Sequence, residues 1–112
     1  MNRPQFTTAI PQRRYQVGEY EAIILGEIET EGPVQYQYIL AMIVEGSREP
    51  KLYVTLERDQ ADKDTLRVLG HELDEVLGTS GQWREPLAFT ASALSVAMEV
   101  LGLTDEVPAL LQ

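Results

Sequence analysis

One hundred and twelve residues, 44% hydrophobic and 24% charged, make one globular domain long enough to bury roughly 65% of the surface its unfolded chain exposes. The chain has no cysteine, which excludes disulfide frameworks, thiolate metal sites and cysteine nucleophiles. Eighteen acids against nine bases, a net charge of −9, oppose binding to nucleic-acid phosphates.

Residues 1–16 carry Arg3, Arg13 and Arg14 and no acid, while all eighteen acids and six bases follow. This segment reads as an N-terminal arm. It is either frayed, or docked on the acidic body, or an extra strand over residues 5–15. It lacks the apolar run of a secretory signal, and no charge-free stretch is long enough for a transmembrane helix. The expected setting is cytoplasmic, with no membrane contact.

Residues 17–112 read as a single α+β domain. Gly18 to Glu29 alternates as a strand, with Tyr20, Ala22, Ile24, Gly26 and Ile28 on one face. The other face carries Glu19, Glu21, Ile23, Leu25, Glu27 and Glu29, since successive strand side chains point to opposite sides. Glu31-Gly32-Pro33 marks a hairpin connection. Val34 to Val44 is the strongest strand. Its first half alternates and its second half is apolar on both sides, as in a central strand covered on both faces. After a turn over residues 45–50, Lys51 to Glu57 forms a third strand with Leu52, Val54 and Leu56 inward. Short connections between these strands require an antiparallel meander.

The hydrophobic period then changes. Asp59 to Asp64 is charged, with N-cap candidates in Asp62 and Asp64. Leu66, Leu69, Leu73 and Val76 or Leu77 recur at three- and four-residue spacing, which predicts a helix ended by Gly78. Thr79 to Arg84 reads as a loop. A second helix starts with Pro86 at its first position and has Gly102 just past its end, with apolar residues on most sides. Thr104 to Glu106 can cap one last short turn, with Leu110 and Leu111 closing against the body. The expected fold is therefore a three- or four-stranded antiparallel sheet with two helices on one face. That arrangement leaves the second sheet face, or the second helix, for homodimerisation or a protein partner.

Four constellations are candidates for function. On the first predicted helix, His71 and Glu75 stand four apart, as two ligands of one ion would. No second histidine completes that site, and no metal or other cofactor is expected. Glu19, Glu21, Glu27 and Glu29, with Ile23 and Leu25 between them, form an acid–base pair, an acidic interaction surface or the charged guard of an edge strand, and nothing in the sequence indicates the burial that the first requires. Tyr36 and Tyr38 share a strand face and would line a pocket between sheet and helices with Met42, Phe89 and Met98, or border the core. His71, Arg67 or Ser95 would supply polar contacts there. Trp83, beside Arg84, is either an interface anchor or a plug between the helices. No phosphate loop, nucleophile elbow or other catalytic set is present. The sequence thus favours a small, acidic, non-catalytic interaction or regulatory module that self-associates. A ligand-binding domain or minor enzyme is the alternative.

Overall fold

The computed structural model describes residues 2–58 and 64–111. Six strands run in sequence as an antiparallel meander: β1 Thr8–Val17, β2 Tyr20–Glu29, β3 Gln35–Val44, β4 Pro50–Arg58, β5 Asp64–Gly70 and β6 Leu73–Thr79. A 3-10 helix at Gly81–Arg84 leads into α1, Pro86–Val100, and the two-residue β7, Ala109–Leu110, pairs with β1. The sheet is seven-stranded, in the order β6-β5-β4-β3-β2-β1-β7. This overturns the expected three- or four-stranded sheet with two helices: among the described residues there is one α-helix, and the fold is mostly sheet.

The missing helix is the β5–β6 hairpin. Leu66, Val68 and Gly70 alternate with Thr65, Arg67 and Leu69 at the period of a strand, and β-branched Thr65, Val68, Val76 and Thr79 suit a pleated surface. Leu66 and Leu69, expected on one helix face, join opposite faces of the sheet. The chain reverses at His71-Glu72, where Glu72 adopts φ 56° and closes Gly70 against Leu73. The N-cap expected at Asp62 lies outside the described residues. Asp64 instead begins β5, its side chain fully buried, bonded by Arg58 Nε at 3.2 Å and by Arg84 Nε. It thereby ties the end of β4 and the 3-10 helix to β5.

One face of the sheet, including Ala22, Ile24, Leu40, Met42, Leu52, Val54, Leu56, Leu66 and Val68, packs against Phe89, Ala93, Leu94 and Ala97 of α1. Phe89 is fully buried, and its ring stacks on Tyr38 with centroids 5.3 Å apart. Pro86 opens α1 without needing a donor. At the far end Gly102 takes φ 70°, while Leu103 N–H bonds Met98 O at 2.7 Å and Gly102 N–H bonds Glu99 O at 3.3 Å. This is a Schellman termination that needs a left-handed residue after the cap.

The opposite face holds a smaller cluster of Ile39, Ala41, Tyr53 and Leu69, flanked by Leu25, Ile28 and Tyr36. The segment preceding β1 crosses this face. Asn2 N–H donates to Gly70 O at 3.3 Å, Gln5 N–H donates to the Tyr36 hydroxyl at 3.3 Å, and Thr7 N–H donates to Glu29 O at 2.7 Å. Pro4 is buried along the way. Residues 2–7 thus run from the β5–β6 turn to the end of β2, and the face left open by the sequence reading is strapped by its own chain.

Replacing Phe89 by Ala is expected to lower unfolding free energy by about 3–5 kcal/mol, the cost of a cavity at a fully buried aromatic. Leu87→Ala, at a site 56% exposed, is expected to stay within about 0.5 kcal/mol. Urea denaturation of the two variants checks the contrast.

Candidate functional site

The helix's inner side is buried and its outer side is not. Leu87 is 56% and Val100 47% exposed, and Ala91 and Ser95 are exposed between them. After Gly102 the chain turns back beside the helix. Glu106 packs over Gly18 in the β1–β2 turn, Ala109 and Leu110 pair with Gln16 and Tyr15, and Leu111 N–H reaches Arg14 O at 2.8 Å. Between helix and returning segment lies an open groove of about 390 Å³, lined by Ala91, Leu94, Ser95, Met98, Thr104 and Pro108. Val107, Leu110 and Leu111 add exposed apolar surface along the same segment.

The segment that forms the groove carries charge of one sign in sequence. From Glu85 to the last residue the chain holds four acids, Glu85, Glu99, Asp105 and Glu106, and no Lys, Arg or His. Glu99 is the only charged residue within α1. The sequence reading took the broad apolar circumference of this helix as burial on most sides. A single helix on a sheet buries only the side that faces it, so the remaining apolar residues form surface.

The residues singled out from sequence do not gather into one site. Tyr36 and Tyr38 lie on opposite faces, because Gln37 is an extra residue in β3: Tyr36 pairs with Glu57 and Tyr38 with Leu56. Tyr38 stacks on Phe89 in the main core, whereas Tyr36 borders the smaller cluster. Met42 and Phe89 pack together without Tyr36, and Met98 faces the outer groove. His71 is exposed in the β5–β6 turn. With the helix gone, nothing sets it on one face with Glu75. Among the described residues no cluster of three or more His, Asp or Glu is arranged to hold a metal ion. Trp83 sits in the 3-10 helix, half-buried against the main core, with its Nε1 donating to Ser92 Oγ at 3.1 Å and its ring over Gly78.

The strand of acids is β2, which lies between β1 and β3 and is not a sheet edge. Glu21 is half-buried and pairs with Arg14 at 3.4 Å. Ile23 and Leu25 are partly buried on the strapped side, and Leu25 packs against its cluster. Glu27 adopts φ 47° at a register shift between β1 and β2, so Glu27 and Glu29 fall out of the alternation that would align them with Glu19 and Glu21. The even row of carboxylates read from sequence is therefore broken.

A second polar group was not foreseen. On the strapped face Arg67 Nε bonds Glu57 Oε2 and Arg67 Nη1 bonds Asp74 Oδ1, both at 2.6 Å. The fully buried Thr55 donates to Glu57 Oε2 at 3.2 Å. The hydrogen bond that Arg67 donates to Asp74, aided by the one to Glu57, raises the Arg67 pKa above its ordinary value. The network joins β4, β5 and β6 and presents no free nucleophile or paired acid. Burial raises the phenol pKa of Tyr36, Tyr38 and Tyr53. Nearby Glu57, Glu85 and Glu49 respectively act in the same direction.

Comparison with protein-family models, with curated proteins and with solved structures finds no match for this chain. Among the described residues, no helix is long and apolar enough to cross a membrane.

The tyrosine shifts fix an alkaline dependence. A phenol with a raised folded pKa binds its proton more tightly in the folded state. Its contribution is therefore complete below the unfolded value near 10 and is lost as pH rises through the folded one. Stability is expected to fall above about pH 10, and absorbance titration should show Tyr36, Tyr38 and Tyr53 ionising late. Tyr53→Phe should remove part of the alkaline loss. Five tyrosines titrating together at the ordinary value would contradict the burial.

Proposed function

We propose that this protein is a non-catalytic interaction module whose outer α1 groove receives a cationic amphipathic segment of another protein. The observation that carries the reading is the groove between Ala91, Ser95 and Met98 on the helix and Thr104 and Pro108 beyond it. Its surroundings in sequence bear only negative charge. An amphipathic helix docks by laying apolar residues at three- and four-residue spacing into such a groove. Acids near the groove choose a partner with Lys or Arg flanking the apolar stripe and speed its arrival. The same charge opposes nucleic acid and anionic lipid surfaces. The absence of a gathered catalytic constellation among the tyrosines, His71 and the ion pairs favours binding over chemistry.

Isothermal titration with a helical peptide of alternating leucine and lysine faces tests the reading. Saturable binding is expected, weakening as salt rises. Ala91→Arg or Ser95→Arg, each placing a cation at an exposed groove position, should abolish it without loss of fold. Equal binding of the same apolar pattern with glutamate in place of lysine, or binding unaffected by both substitutions, would overturn the proposal.

A further inference from the structure

Residues 2–7, Asn2-Arg3-Pro4-Gln5-Phe6-Thr7, lie across the second face of the sheet without joining it. None of the six belongs to a strand, and Pro4 alone among them is buried. What they cover is far better buried than the cover itself: Ile39 is fully buried, and Ala41, Tyr53 and Leu69 nearly so. The attachment is a short series of polar contacts in which the segment always donates. Asn2 gives its N–H to Gly70 O at 3.3 Å and its side-chain amide to Leu73 O at 3.0 Å. Gln5 N–H meets the Tyr36 hydroxyl at 3.3 Å, and Thr7 N–H meets Glu29 O at 2.7 Å. A cavity of about 180 Å³ separates Gln5, Phe6 and Thr7 from Glu31 and Gly32, so the second half of the segment is not packed down. Arg3 is its only charge. Besides the burial that raises the Tyr53 pKa, Arg3 lowers it and Glu49 raises it, which sets that one charge near an acid of the body.

We propose that this face is a binding site for an extended, proline-bearing segment of a partner protein, and that residues 2–7 occupy it in cis as an autoinhibitory stand-in. Extended segments with a buried proline and free backbone donors are the form in which peptides dock on apolar faces bordered by aromatic residues, and here Tyr36 and Tyr53 are those aromatics. The seated segment defines the ligand. It needs a side-chain amide for Leu73 O, a base at the next position, a proline for the apolar face and a backbone donor for Tyr36 directly after it. A body of net charge −9 favours a segment whose only charge is an arginine. The tethered cover competes at an effective concentration on the order of millimolar, so a partner takes the face only after the cover is loosened or by binding more tightly. The site is separate from the α1 groove and does not rest on that reading.

The test uses the full chain, the full chain with Pro4→Glu, which leaves every sheet residue in place, and a synthetic peptide of residues 1–8, followed by amide correlation spectra. The peptide is expected to bind the variant saturably and shift Ile39, Leu40, Ala41, Tyr53 and Leu69, and to bind the wild type about tenfold or more weakly. The same peptide with Pro4→Glu should bind neither chain. Hydrogen exchange of the wild type adds a readout that does not depend on the variant: the amides of Gln5 and Thr7 should exchange well before those of Ile39 to Ala41, because the segment lifts while the sheet stays formed. Equal binding to both chains, no binding to a folded variant, shifts at Leu87 to Met98 instead, or exchange of Gln5 and Thr7 only together with the sheet would each overturn the proposal. So would dimerisation of the variant without peptide binding, which would assign the face to a second copy.

Discussion

A single fifteen-residue helix must cover one face of a seven-stranded sheet, and most of the structure follows from that constraint. Phe89 fills the centre of the contact, against Tyr38 and the β3–β4 core. Register shifts interrupt the β1–β2, β3–β4 and β5–β6 pairs. Each shift adds a residue to one strand and increases local twist. Among the described residues no helix covers the second face. Its smaller apolar cluster is closed by residues 2–7, anchored at the β5–β6 turn, at Tyr36 and at the end of β2.

Charge is distributed to match. The arginines of β4 and β5 are paired within the fold, Arg67 with Glu57 and Asp74 and Arg58 with Asp64. Pairs of this kind fix register more than they add stability, since desolvation offsets much of the attraction. Beyond residue 84 every charged residue is an acid. The outer side of the helix presents leucine, alanine and serine, and the one charged residue of α1 is the acid Glu99.

The strands β2, β3 and β4 were legible because their alternation is reinforced by turn residues at Gly18, Gly32-Pro33 and Gly46. The limits of α1 were legible because Pro86 and Gly102 act locally. The β5–β6 hairpin was not, because Leu66, Leu69, Leu73 and Val76 happen to satisfy helical spacing while the alternation of Thr65, Arg67 and Leu69 also satisfies a strand. Tertiary pairing with β4 decides between two periods that the local sequence supports about equally. The candidate site suffered from a different omission. Bulges shift side chains between faces without a compositional mark, so Gln37 separates Tyr36 from Tyr38 and Glu27 breaks the row of acids. The groove itself had a signal, the absence of any base from Glu85 onward, but an apolar helix reads as a buried one until the number of layers is known.

The claim at the centre of this account is that the outer side of α1 is a binding surface while the second sheet face is closed by the chain's own residues 2–7. An amide correlation spectrum recorded with and without a leucine–lysine helical peptide addresses both halves at once. Shifts confined to Leu87–Met98 and Thr104–Leu111, with the amides of Asn2, Gln5, Thr7 and Ile39–Ala41 unmoved, are the expected result. Shifts centred on Ile39, Ala41, Tyr53 and Leu69, with residues 2–7 released, would show that the strap is the displaceable element and that the helix is not the docking surface.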